Sequence, residues 1–182
     1  GADFALKSKK SFTSDVVVRS VEWLQANDEA RAAFTALCNH VVARGWTATF
    51  EWTSPISRIV LYYETASLTL LHVRDNVSGR YLTQAELEAL TAKFNVPLVA
   101  NEQHILEGLT AEKLIKLFHE TEGVEGWVFQ FENGDMVKFK TEWYMKRHKA
   151  MTFLRERDIA ELVIDEGLDD MKALLVGEGV DI

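Results

Sequence analysis

The stretch EGWVFQFENGDMVKFKT (125–141) leaves little choice of local structure. Two runs of alternating aromatic or β-branched and polar residues flank Asn133-Gly134, a pair that readily takes positive φ in a tight turn. It reads as a β-hairpin. Lys138 and Lys140 stand two apart on its second strand, so both ammonium groups project from one face. On the first strand Glu125 precedes Gly126, a residue that permits close approach of a ligand or of another backbone. A carboxylate beside paired lysines could hold a metal and a polyphosphate together. The same spacing also suits a solvated strand face carrying cross-strand ion pairs, and spacing alone leaves both open.

Around this hairpin the pattern alternates between helix and strand. Residues 4–9 read as the end of a strand, with Lys7 and Lys9 on one face. Ser14 or Asp15 is placed to cap a helix reaching Ala26, with Val17, Val21 and Leu24 on its apolar stripe. A second helix is expected over 28–43, stopped by Gly45. WTATFEWT (46–53) and RIVLYY (58–63) read as strands joined by the turn residues SPIS, and SLTLLHVRD (67–75) as a strand that NVSG turns back into a hairpin with 79–82. Helices follow at 83–94, opened by a Thr83/Glu86 capping box, and at 110–121, opened by Thr110 with Lys113 in the third position. From Glu142 the pattern is helical, with breaks near Gly167 and Gly177. The fold class expected is α+β, with a domain boundary near residue 141.

Charge narrows the functional classes. With 20 basic against 28 acidic side chains the formal net charge is −8, which disfavours broad, nonspecific attraction to phosphate backbones. Any contact with nucleic acid must be local. Basic residues cluster at Lys7, Lys9 and Lys10 and again at Lys138, Lys140, Lys146, Arg147 and Lys149. No apolar run approaches the ~20 residues that span a bilayer, and no secretory leader is evident, so a cytoplasmic protein without membrane contact is expected. The lone cysteine, Cys38, reads as buried filler in a reducing compartment. In TFEWTSP, Glu51 points away from the side taken by Phe50 and Trp52. A carboxylate there could accept ribose hydroxyls, bind metal, or simply face water.

Taken in order, LKSKKSFTSD (6–15), TFEWTSPISRIVLYY (49–63), LTLLHVRD (68–75), EGWVFQF (125–131) and MVKFKTEWY (136–144) resemble successive motifs of the phage-type ATP-dependent RNA ligase 1 family, within the covalent nucleotidyltransferases. The resemblance spans nearly the whole chain. It implies a mostly antiparallel, ATP-grasp-like nucleotidyltransferase sheet with flanking helices over 1–141, and the start of a helical C-terminal domain over 142–182. It implies ATP and Mg²⁺ as cofactors and RNA ends, such as those of cleaved tRNA, as partners. On this resemblance Glu51 contacts the nucleotide's sugar or a metal, Glu125 supports the metal beside Gly126, and Lys138 and Lys140 contact the phosphates. Lys9 steers phosphate, although Lys10 stands where the family has glycine. Leu71 and Val73 wall the adenine, with His72 on the opposite face, and Arg58 makes a phosphate or structural contact.

Family members also carry a Lys-x-Asp-Gly motif upstream, whose lysine attacks the ATP α-phosphate. None of Lys7, Lys9 and Lys10 is followed by Asp-Gly. The motif is expected in a missing N-terminal part of the enzyme, so that this chain alone is a fragment unable to adenylate itself. The alternative is a non-catalytic module that binds nucleotide or RNA ends. A purely structural or interaction domain ranks last, since it gives no reason for the ordered motifs.

Overall fold

Why the chain folds as it does is clearest in a computed structural model, which describes residues 4–57, 59–131 and 134–152 together with Asp169 and Ala173. The expected helical breaks near Gly167 and Gly177, the Asn133 half of the turn and Arg58 lie outside the described residues. The architecture is mixed α+β. The chain divides into two compact units, Gly1–Ile56 with Tyr63–Gln103, and Ser57–Tyr62 with His104–Ile182. Among the described residues, no helix is long and apolar enough to cross a membrane.

In the first unit, α1 (Asp15–Ala26) and α2 (Asp28–Val42) precede an antiparallel pair, β1 (Trp46–Thr53) and β2 (Ser67–Asp75). Phe34, Leu37, Cys38 and Val41 recur at helical spacing along α2 and are buried, which puts one stripe of that helix in the core. The chain then reverses at Gly45, whose φ of +70° is the left-handed stop anticipated from its residue type. Trp46, Ala48, Phe50 and Trp52 alternate along β1 and pack on the same core. On β2 the alternation breaks. Thr49 pairs with His72 but Phe50 with Leu70, so Leu71 is an extra, bulged residue. The bulge lets Leu68, Leu70 and Val73 all reach the core despite their uneven spacing. Leu70 has no exposed surface, and Leu70→Ala is expected to destabilise the protein by about 3 kcal/mol, read from the urea midpoint.

α3 (Gln84–Phe94) closes this unit, opened by the Thr83/Glu86 capping box that the sequence spells out. In the second unit, α4 (Ala111–Glu120), capped by Thr110, is followed by the hairpin of β3 (Gly126–Gln130) and β4 (Met136–Lys140) and then by α5 (Glu142–Thr152).

Two expected strands are absent. Residues 4–8 are not in a ladder, and the chain bends at Lys9 and Lys10. Ser8 instead hydrogen-bonds locally: its hydroxyl donates to Ser11 O at 3.0 Å and accepts from Ser11 N at 3.2 Å. Local serine bonds offer the backbone an alternative to a strand, so Lys7 and Lys9 do not share a strand face. In RIVLYY, residues 59–63 form no strand either: Val60 is buried while Ile59 and Tyr62 are exposed. β-propensity favours a pleated surface but cannot supply a partner. The hairpin expected with 79–82 is reduced to a single bridge, Arg74 with Tyr81, reinforced by bonds from Asp75 N to Arg80 O and from Leu82 N to Val73 O.

Candidate functional site

The second unit's hairpin separates its side chains cleanly. Trp127, Phe129 and Phe139 occupy one face, and Phe118 of α4 stacks on Phe139 with ring centroids 4.9 Å apart. That aromatic layer anchors the sheet. The opposite face therefore carries Val128, Lys138 and Lys140, and it is there that charge converges. Lys138 Nζ donates to Glu125 Oε1 at 2.6 Å, and Lys140 Nζ lies 3.2 Å from the same oxygen. Burial works against ionisation of Glu125, but the hydrogen bonds and charges of the two lysines outweigh it and hold the carboxyl below its ordinary value. Three groups thus form a cluster with one net positive charge.

Gly126 is required by the adjacent strand. Its φ is +146°, and a β-carbon there would lie 1.9 Å from the carbonyl oxygen of Phe139. The close approach anticipated for this glycine is that of backbone to backbone.

Sequence reasoning overlooked three contributors. Thr141 is fully buried: its hydroxyl donates to Val124 O at 2.8 Å and accepts from Tyr144 N at 3.1 Å, so one side chain ties the residue before Glu125 to the first turn of α5. Its amide also donates to Glu125 O at 2.9 Å. The signal was present, since threonine just before a helical run is a capping residue. Val128 is 57% exposed on the lysine face, an apolar surface beside two cations. Finally, Glu142 accepts from Lys146 at 2.8 Å and pairs with His119 at 2.5 Å, an arrangement no local pattern foretells because His119 lies on another helix.

Those bonds, that of Lys146 foremost, hold Glu142 at about 2. A depressed carboxyl favours the folded state at neutral pH and loses that contribution as pH falls from its ordinary 4.5 towards about 2. The urea midpoint is expected to drop over that window, and Glu142→Gln to flatten the drop.

The remaining expected site residues lie in the first unit or outside the described residues. Glu51 sits on the face of β1 turned away from the core, opposite Thr69, and is exposed. Val73 is fully buried in the core, on the face opposite to Glu51, whereas His72 shares the Glu51 face. Leu71 is the bulged residue and is half-buried. The His72 ring lies 5.0 Å from that of Tyr81, and burial lowers its pKa. Lys9 is exposed in the N-terminal bend. The structure brings together Glu125, Lys138 and Lys140, with Gly126 in the strand beside them.

This donor set can be tested against the expected ligands. Among the described residues no group of three or more His, Cys, Asp or Glu side chains is gathered for a metal. One carboxylate beside two ammonium groups suits an oligophosphate that arrives with its cation, because Mg²⁺ is commonly held by one or two carboxylates plus substrate phosphates.

Comparison with known proteins agrees with the family resemblance. A family model described as RNA ligase matches residues 2–144. The chain is 31% identical over 184 residues to a protein of Thermovibrio ammonificans named "Putative RNA ligase", covering 96% of the chain and 46% of that relative. It is 30% identical over 150 residues to the "Putative bifunctional polynucleotide kinase/RNA ligase" of Autographa californica nuclear polyhedrosis virus, covering 81% of the chain and 20% of the relative. The chain thus spans less than half the length of either. The family match takes in β1, β2 and the whole hairpin, including Glu125, Lys138 and Lys140, and on that match the chain belongs to the phage-type RNA ligase family.

Proposed function

We propose that this chain is part of the nucleotidyl-transfer region of an ATP-dependent RNA ligase, which joins an RNA 5′-phosphate to a 3′-hydroxyl through lysyl-adenylate and RNA-adenylate intermediates. The observation that carries the reading is the convergence of Lys138 and Lys140 on Glu125, across the face of the hairpin. Two ammonium groups fixed within reach of one point can neutralise charge developing on a phosphate without reorganising.

In this account Lys138 and Lys140 bind and orient the phosphates, and Val128 gives the base or sugar an apolar surface. Glu125 would help to hold Mg²⁺, which supplies Lewis-acid stabilisation of phosphate charge when bound, and Glu51 of the first unit is a second candidate contact for a metal. Lys9 and Arg58 assist phosphate, Glu51 meets the ribose, and Leu71 with Val73 forms the strand behind the adenine. Because Val73 is buried in the core, its part is to support that strand from beneath, and Leu71 is the side chain nearer a ligand. Thr141 positions the cluster. RNA ends, cleaved tRNA among them, are the substrates, the cytoplasm is the setting, and residues from Glu142 onward open a helical C-terminal domain.

The nucleophile is the missing piece: no lysine of the chain stands in a Lys-x-Asp-Gly sequence. Incubated alone with α-labelled ATP, the 182-residue polypeptide is expected to acquire no covalent label. With a polypeptide that carries the motif, label is expected on the lysine of that partner. A covalent adenylate on the isolated chain would refute this assignment. Binding of ATP or 5′-phosphorylated RNA without restored labelling would favour the second reading, a non-catalytic module for nucleotide or RNA ends, for which the same absent motif speaks.

A further inference from the structure

We propose that α5 is a docking face for single-stranded RNA, on which the stacked side chains of Arg147 and Trp143 give a base a flat platform while Lys146 and Lys149 hold the backbone beside it. The inference rests on the reading that the chain acts on RNA ends, and it places part of that RNA outside the Glu125 cluster.

A chain with a formal net charge of −8 attracts phosphate only where cations are gathered locally. α5 is such a place: Glu142 is its one acidic residue, against Lys146, Arg147 and Lys149. The Lys146 side chain is 63% exposed even though it pairs with Glu142 at 2.8 Å, and Lys149 is exposed one turn further along the same face. Arg147 lies four residues after Trp143, and its guanidinium carbon stands 4.1 Å from the centre of the indole. That is the closest cation–ring contact among the described residues, the others lying at 5.0 to 5.9 Å. Both side chains are half-buried, so each keeps some surface towards solvent. A guanidinium held this close to an aromatic ring is already ordered, and both partners are flat groups on which a base can stack.

Cations alone would suit any polyanion. The flat pair among them favours a ligand that carries bases as well as phosphates, and a single strand is the form whose bases are free to stack on a protein surface. The position of the helix fits the same ligand. α5 begins two residues after Lys140, and the Lys140 ammonium lies 5.0 Å from the centre of the Tyr144 ring in the helix's first turn. An RNA end whose phosphate reaches Lys138 and Lys140 therefore has α5 beside it to receive the nucleotides that follow.

Anisotropy titration of the 182-residue chain tests this, with a labelled 5′-phosphorylated single-stranded oligoribonucleotide and the same backbone stripped of its bases as the probes. The parent is expected to bind the base-bearing strand about fivefold or more tightly than the baseless one, the scale of one stacked base. Arg147→Lys keeps the charge but not the flat group, and is expected to lose that preference with its salt dependence unchanged. Lys149→Ala is expected to keep the preference and to lower the slope of log affinity against log salt by about 0.7, the share of one phosphate contact on a single strand. Circular dichroism checks the folding of each variant, and the parent's own preference with Lys149→Ala carries the test should Arg147→Lys fold poorly. Equal affinity of the parent for the two strands, or an undiminished preference in Arg147→Lys, would overturn the platform. A change confined to the urea midpoint, with RNA binding unmoved, would overturn it as well and leave the pair a surface brace. Calorimetry with magnesium-ATP judges the hairpin separately, and both α5 variants are expected to bind that ligand as the parent does. Binding of magnesium-ATP without binding of the RNA strand would sink the α5 face and leave the hairpin standing, whereas RNA binding that depends on Arg147, without magnesium-ATP binding, would do the reverse.

Discussion

Gly126→Ala is expected to collapse the hairpin and with it the candidate site, at a cost of about 3 kcal/mol or more, because the substitution combines a strained backbone with overpacking. The added β-carbon would meet the Phe139 carbonyl oxygen at 1.9 Å and Lys140 Cα at 2.7 Å. These are backbone atoms, so no flexible side chain can swing aside. The strands must separate, and separation breaks the register that sets Lys140 beside Glu125. A urea titration followed by tryptophan fluorescence reads the loss, since Trp127 is the next residue in the strand. A midpoint within error of the parent would mean that the strands do not approach as described. Gly134→Ala offers a contrast: φ there is +88°, but nothing lies within 4 Å of an added β-carbon, so only the cost of the backbone conformation is expected, about 1 kcal/mol.

The second large effect falls on chemistry. With labelling restored by a Lys-x-Asp-Gly polypeptide, Lys138→Ala and Lys140→Ala are each expected to slow adenylate transfer by about a hundredfold, the scale for removing one preorganised donor from developing phosphate charge. The double variant is expected to lose less than the product of the two, since both lysines share one carboxylate and their contributions are coupled. Single-turnover rates with labelled ATP measure this. Transfer at the parent rate in Lys138→Ala would remove that lysine from the phosphate site.

How much of this was legible beforehand depended on whether the signal was local. The 83–94 helix was readable because Thr83 and Glu86 satisfy each other's backbone within one turn, and the 125–141 hairpin because alternation and turn chemistry coincide. Glu51 could be placed on its face because its neighbours Phe50 and Trp52, with Trp46 and Ala48, share the core side of β1. The family resemblance set Leu71 and Val73 in one wall with His72 opposite; Val73 instead lies in the core, and the bulge at Leu71 belongs to the pairing of two strands and leaves no mark in either alone. Residues 4–8 and 59–63 have strand-like composition, yet a strand exists only with a partner, and the serine bonds around Ser8 compete with one. At the site, spacing put Lys138 and Lys140 on one face. It could not say that Glu125 would reach both, because that depends on how Thr141 fixes the end of β4 against Val124 and α5.

The lysine pair of the hairpin is the point at which the proposed ligase site meets nucleotide phosphates. Equilibrium titration of the chain with magnesium-ATP, set against the Lys138→Ala/Lys140→Ala double variant and a Lys93→Ala control on α3, tests it most directly. Binding by the parent and the control, with the double variant weaker by about a hundredfold, is the expected result, each lost charged contact being worth about 1.5 kcal/mol or more. Equal affinity in the parent and the double variant would contradict it.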